Sequence, residues 1–179
     1  ERRLSAVPTR ARYTTLWFAI ALAAVTYIDR ICIARAMPLM SKDLGLSTIE
    51  VGWVLAIFGW AYAVFEIPGG WLGDRFGARR VMTWAIVWWS AFTAVTGLAT
   101  GFFSLMLIRF LFGAGEAGAY PNAARILTRW FPASERGRVQ GIMLSVSLIG
   151  GAAAPALTAH LIAGVGWRWT FAIFASLGV

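Results

Sequence analysis

Residues 49–80 read IEVGWVLAIFGWAYAVFEIPGGWLGDRFGARR. From Ile49 to Gly70 the stretch is almost wholly apolar, and then four charges crowd into GDRFGARR at 73–80. A helix needs roughly 20 apolar residues to cross a bilayer, whereas a barrel strand needs only about 9–11. With no water in the hydrocarbon region, a span of this length must close its hydrogen bonds within itself, so it is a helix. The basic run marks where the chain leaves the membrane.

The rest of the chain repeats this pattern. Of its 179 residues, 59% are hydrophobic and 13% charged, against about 45–50% and about 25% in soluble domains. Disorder is excluded by the same balance, a disulfide scaffold by the single Cys32. Five complete spans and the start of a sixth are expected: Tyr13–Met40, Ile49–Gly70, Val81–Thr100, Phe102–Ala124 and Val139–Val165, with Gly166–Trp167–Arg168 opening the last. The expectation is an all-α membrane protein, with residues 1–12 a cytoplasmic tail and 13–179 a transmembrane bundle. The start at Glu1, and the end at Val179 inside an apolar run, lead us to expect a piece of a longer chain. A signal peptide is not expected, because no small-residue cleavage site follows Arg2, Arg3, Arg10 and Arg12.

The net charge of +8 comes from sixteen basic residues, all arginine except Lys42. A soluble protein so basic would suggest nucleic acid, but here the arginines follow the spans, so no nucleic-acid partner is expected. Eleven lie in the N-terminal segment and in the second and fourth links (Arg2, Arg3, Arg10, Arg12, Arg75, Arg79, Arg80, Arg125, Arg129, Arg136 and Arg138), against Lys42 and Arg168 on the other side. Loops rich in Lys and Arg stay cytoplasmic, which places the N-terminus inside. Trp53, Trp71, Trp84, Trp130, Trp167 and Trp169 fall near span ends, where such rings anchor at headgroup depth. One cysteine and one histidine, His160, give no metal-ligand spacing. Neither metal nor cofactor is expected, and no nucleophile–base set suggests an enzyme.

Five further ionisable residues lie inside spans: Asp29, Arg30, Glu66, Arg109 and Glu116, with Arg35 further out on the first. An ionisable residue at bilayer depth costs roughly 2.5–3.5 kcal/mol on insertion scales and marks a functional site by default. Arg109 and Glu116, seven apart, share a helix face about 10 Å apart along one wall, a gap that suits a substrate or a water. Arginine offers a charged planar fork to carboxylate or phosphate. Burial disfavours the charged form of any carboxyl, so Asp29 and Glu116 are candidates to load and release protons. The alternative is that Asp29–Arg30 and Arg109–Glu116 only neutralise each other between helices. Glu66 is read as reaching water, Arg35 as snorkelling to the outer interface and His160 as interfacial. The small-residue stretches Gly113–Ala119 and Gly150–Pro155 are read as helix packing.

The run G-x-L-x-D-R-x-G-x-R-R, formed by Gly70, Leu72, Asp74, Arg75, Gly77, Arg79 and Arg80, resembles the loop between helices two and three of the major facilitator superfamily. The resemblance implies a bundle of six helices that is one half of a twelve-helix transporter, with this loop acting at a cytoplasmic gate. YIDR at 27–30, RFLFGAGEAGAYP at 109–121 and RWFPASERGR at 129–138 further resemble the anion:cation symporter family, which includes carriers of galactonate, glucarate and hexuronates. That resemblance implies Asp29 and Glu116 as proton sites and Arg30 and Arg109 as binders of the substrate carboxylate or supports for those acids. Tyr27 and Tyr62 would line the cavity, and Ser147 stands where relatives can carry glutamine. Cys32 and Glu66 also differ from common family residues. The antiporter pattern on helix five is degenerate, with Ala154, Thr158 and Ala159 in place of glycines, which favours symport. The implied partners are a small organic anion, protons, the lipid bilayer and a second half of the same chain. No N-x-S/T sequon is present, as in bacterial members of an inner membrane. An organophosphate:phosphate exchanger and a non-transporting sensor of the same fold remain as alternatives.

Overall fold

A computed structural model describes residues 10–178; the expected tail residues 1–9, with Arg2 and Arg3, and Val179 lie outside them. Six helices follow one another: α1 Ala11–Leu44, α2 Thr48–Phe76, α3 Ala78–Thr96, α4 Phe102–Glu116, α5 Ala119–Trp130 and α6 Ala133–Leu177. Among the described residues, four segments are long and apolar enough to cross a membrane: α1, α2, α4 with α5 taken as one 29-residue stretch, and α6. The 19 residues of α3 reach about 28 Å at about 1.5 Å per residue, against a hydrocarbon core of about 30 Å.

The helices outrun the expected spans. The links after Gly70 and Ala124 are themselves helical, and only Phe131 and Pro132 separate α5 from α6. Apolar runs mark where lipid begins, not where a helix ends. In the last long helix, Gly166 adopts φ 78°, ψ 166°, so α6 is two arms, 133–165 and 167–177. The second arm is the expected start of a sixth span. A positive φ of this kind is open to glycine at no steric cost.

Short signals set the other turns. α1 ends on Gly45 in the left-handed region, φ 66°, a common helix stop. α2 begins with a capping box: Glu50 N–H donates to Ser47 Oγ at 3.3 Å, and Ser47 N–H donates to Glu50 Oε2 at 2.8 Å. Gly77, at φ 91°, alone joins α2 to α3.

Many large apolar side chains lie on the outside, with Phe103 at 84% and Ile67 at 82% exposure, as expected of a surface solvated by lipid. Inside, small residues let backbones approach. A Cβ on Gly113 would sit 2.7 Å from the Phe58 carbonyl oxygen of α2, and one on Gly150 would sit 2.9 Å from that of Ala24 in α1. α1 packs along α6 and α2 along α4, with α3 against α4, α5 and the second arm of α6. One apolar core, around Met40, Leu105 and Phe174, fills one end of the bundle. Another, around Leu127, Phe131 and Met143, fills the arginine-rich end. Between them lie the buried charges.

Candidate functional site

α1 brings Arg30 to the middle of the bundle, and the last turn of α4 brings Glu116 to meet it. Arg30 Nη2 donates to Glu116 Oε1 at 2.6 Å, and Arg30 Nε to the same oxygen at 3.2 Å. Glu116 is 1% exposed in its side chain and Arg30 25%, so the acid is sealed while the guanidinium keeps an open edge. Aromatic rings frame that guanidinium: Tyr62 at 4.6 Å, with Tyr27 and Phe58 each at 5.1 Å from ring centre to Cζ. Such faces attract a cation. The pair opens on a narrow cleft of about 20 Å³ between α1, α2, α5 and α6, with Tyr27, Tyr62, Tyr120 and Thr26 on its walls.

A second pair of charges lies behind the first. Asp29 and Arg109 are buried at 1% and 3% exposure, and neither lines the cleft. The Arg109 guanidinium packs over Phe112 at 4.7 Å and Phe58 at 5.0 Å. Both Asp29 carboxylate oxygens, Arg109 Nε, Glu116 Oε2 and the Trp89 indole N–H have no hydrogen-bond partner among the described residues. An unmet buried polar atom costs roughly 1–3 kcal/mol, more when charged. The four charges sum to zero, yet their hydrogen-bonding capacity is far from filled.

Sequence spacing alone placed Arg109 and Glu116 as two ends of one open wall. The structure corrects that reading: Glu116 is taken by Arg30 from the neighbouring helix, and Arg109 lies inside the bundle. Neither expected neutralising pair, Asp29–Arg30 or Arg109–Glu116, forms an ion pair. Tyr27 and Tyr62 line the cleft. Ser147 is fully buried, its hydroxyl donating to the Met143 carbonyl at 2.9 Å. Arg35, Glu66 and His160 are exposed on the bundle surface.

At the arginine-rich end, Asp74 of the loop motif pairs with Arg125 of α5. One turn away, Asn122 Nδ2 donates to the Gly69 and Gly118 carbonyls at 3.0 and 2.7 Å. A Cβ on Gly69 would stand 2.6 Å from Gly118 Cα, so α2 and α5 touch backbone to backbone here. Gly70 faces Pro121, Gly77 supplies the turn, and Arg75 lies over Trp71 and Phe76 at 5.4 and 5.7 Å. Arg79 and Arg80 are exposed and form no ion pair among the described residues. The sequence reading missed Tyr120, Phe58, Trp89 and Asn122. Asn122 alone carried a usable signal, as an amide directly after Pro121 in an otherwise apolar span.

Residues 19–179 match the sequence pattern of the Major Facilitator Superfamily. The chain belongs to that superfamily. As a member of a transporter superfamily it is not an enzyme. This superfamily chain is 36% identical over 170 residues to the probable sulfoacetate transporter SauU of Cupriavidus necator, a match covering 95% of the chain and 40% of that protein. It is 39% identical over 180 residues to the probable galactarate/D-glucarate transporter GudP of Escherichia coli K12, covering 96% of the chain and 39% of GudP. It thus spans about two fifths of the length of these curated relatives. The fold is similar to that of a bacterial homolog of the human lysosomal transporter Spinster, solved inward-facing and occupied, with TM-score 0.84 and 25% identity over 97% of this chain and 43% of that one.

Proposed function

We propose that this bundle is the N-terminal half of a secondary transporter that moves an organic anion, most simply a polyhydroxy carboxylate, together with protons. The reading rests on one observation: a single guanidinium, Arg30, faces both the cleft and the sealed carboxylate Glu116. An anion entering the cleft competes with Glu116 for that guanidinium. Protonating Glu116 weakens its hold on Arg30 and releases the planar fork for a substrate carboxylate. Proton and anion then load together, and loss of the proton on the other side lets Glu116 displace the anion. Tyr27, Tyr62 and Tyr120 supply hydroxyl groups suited to a polyol. Asp29, beside the Trp89 indole and within electrostatic reach of Arg109 and Glu116, is the second proton site, and Arg109 is its positioning residue. Ser147 serves helix packing, since its hydroxyl is already committed.

In this scheme the N-terminus is cytoplasmic, which the arginine distribution supports, and the membrane is a bacterial inner membrane. The second half of the transporter closes the cleft, and the halves rock about the midplane site. The Asp74–Arg125 pair, with Arg79, holds the cytoplasmic gate. The membrane potential contributes about 2.3 kcal/mol per charge per 100 mV.

The test is uptake by the full-length transporter in proteoliposomes under an inward proton gradient, with labelled sugar acids, and with Glu116→Gln beside the wild type. Wild type should accumulate one acid, and a protonophore should collapse the accumulation. Glu116→Gln should bind and exchange that acid but no longer concentrate it. Its binding should also lose the wild-type preference for acidic pH, which follows because protonation of Glu116 favours the anion-bound form. Gradient-driven accumulation by Glu116→Gln at the wild-type level overturns the coupling role. Exchange against inorganic phosphate that ignores pH overturns the symport.

A further inference from the structure

On the surface of the bundle, sharing no lining residue with the cleft, α2, α3 and α4 leave a groove of about 270 Å³. Its walls are large apolar side chains, Phe65, Leu72 and Phe76 on α2 and Trp84 and Trp88 on α3. Its floor is almost bare backbone, because Gly69, Gly115 and Gly118 carry no side chain there and Ala114 carries only a methyl. The Trp88 ring is held upright by its indole N–H, which donates to the Leu111 carbonyl at 2.8 Å. Phe65 packs edge-on to Phe110, with ring centres 6.0 Å apart. These two contacts hold Trp88 and Phe65 in place on opposite walls.

Two measures say what fits it. From Phe65 to Phe76 is eleven residues of α2, about 16 Å at about 1.5 Å per residue. That is half of a hydrocarbon core of about 30 Å, so the groove is one leaflet deep. Its charge is just as directional. Arg80 lies one helical turn before Trp84 on the same face of α3, and the Arg75 guanidinium lies 5.7 Å from the Phe76 ring. Both arginines therefore belong to the Phe76–Trp84 end of the groove, Arg75 by its ring contact and Arg80 by its register on α3. Asp74, the nearest acid in sequence, is engaged by Arg125, and neither Arg75 nor Arg80 has an ion-pair partner among the described residues. The arginine-rich side faces the leaflet that carries the anionic lipids when that side is cytoplasmic.

We propose that this groove is a binding site for one anionic phospholipid of the cytoplasmic leaflet, with an acyl chain lying along Gly69, Ala114 and Gly118 and the phosphate on Arg80 and Arg75. The site is separate from the transport cleft and does not depend on which anion is carried. It ties the headgroup to the same loop whose Asp74 holds α5, so lipid composition acts on the α2–α3 junction.

The full-length transporter, reconstituted in nanodiscs of phosphatidylcholine with a minor share of phosphatidylglycerol of matched chains, is released into the gas phase and its retained lipids are counted by native mass spectrometry. Wild type should retain one phosphatidylglycerol in preference to phosphatidylcholine. Arg80→Gln should lower that retention about fivefold, the weight of one arginine near an anionic surface, and Arg80→Lys should restore most of it. Ala114→Leu, which fills the floor without touching a charge, should remove the retained lipid whatever its headgroup. Arg138→Gln, a loss of equal charge on α6, should leave retention at the wild-type level. Equal retention of the two lipids by wild type, or equal loss in Arg138→Gln and Arg80→Gln, reduces the groove to ordinary annular contact and overturns the proposal. A dimer mass that disappears in Ala114→Leu, with no lipid retained, assigns the groove to a second copy of the chain instead.

Discussion

Two clusters of charge hold this bundle, and they are built on opposite terms. At the Lys42 end, Arg168 donates to the Gly97 and Ala99 carbonyls at 2.9 and 3.1 Å and to Asp43 at 3.2 Å, while the Trp167 indole N–H donates to the same carboxylate at 3.2 Å. Two carbonyls of the turn that follows α3 are thereby met, and both members of the ion pair are about half exposed. The midplane cluster is far more buried yet leaves both Asp29 oxygens, Glu116 Oε2 and Arg109 Nε without partners. A clamp that only has to hold can fill every valence. A site whose groups change charge and partner must keep some open, and the proposed transport cycle asks that of the midplane alone.

The largest effect is expected where the open valences are. Asp29→Asn keeps size and removes the charge, so proton-driven accumulation should fall by more than tenfold in proteoliposomes while the protein remains folded by size-exclusion chromatography. Arg30→Met should be worse for stability, because it strands a sealed carboxylate, at a cost of about 3–5 kcal/mol. The double variant Arg30→Met/Glu116→Leu should regain most of that loss in a thermal unfolding assay yet bind no anion. Transport by the double variant would make the midplane pair structural and erase the contrast with the Arg168 clamp.

Much of this architecture is legible in the amino-acid sequence. Long apolar runs mark five spans and the start of a sixth, because a bilayer sets the length of what crosses it. Insertion cost picks out Asp29, Arg30, Arg109 and Glu116. Partnership is not legible. Seven residues of spacing fix the relation between Arg109 and Glu116 along α4, but not which side chain α1 presents to Glu116. That depends on where α1 and α4 each sit in the bundle, which is set by remote contacts such as Gly150 of α6 on Ala24 of α1 and Gly113 of α4 on Phe58 of α2. Tyr120 and Phe58 are hidden for a different reason. An aromatic in an apolar span is read as packing until a charge is seen beside it. The Asp43–Arg168 clamp escapes the sequence because its partners lie 125 residues apart and neither is at bilayer depth.

Below the midplane in effect comes the clamp itself. Arg168→Ala removes the donor to two backbone carbonyls and one carboxylate. Partly exposed as these groups are, water replaces some of the loss, and about 1–2 kcal/mol of stability should go. Thermal unfolding should move down by a few degrees, with the pH dependence of uptake unchanged. A changed coupling profile in Arg168→Ala would mean that the clamp takes part in the transport cycle.

The smallest effect, and the closest control, is Asp43→Asn. It makes at the clamp the same substitution that Asp29→Asn makes at the midplane: one charge removed, shape kept. The introduced amide retains a carbonyl oxygen that can accept from both the Trp167 indole and Arg168 Nη2, so the hydrogen bonds survive and only the Coulomb attraction is lost. Between half-exposed partners that attraction is worth about 0–1 kcal/mol and is screened by salt. Thermal stability should therefore shift by little at low ionic strength, the shift should vanish at high salt, and gradient-driven uptake should stay at the wild-type level. Two aspartates on one helix, fourteen residues apart, would then answer the same change in opposite ways. One has its acceptors filled and its charge facing water, while the other has both oxygens buried and waiting. Loss of coupling at Asp43 as well would show that charge anywhere on α1, rather than the unmet valence at its centre, sets the response.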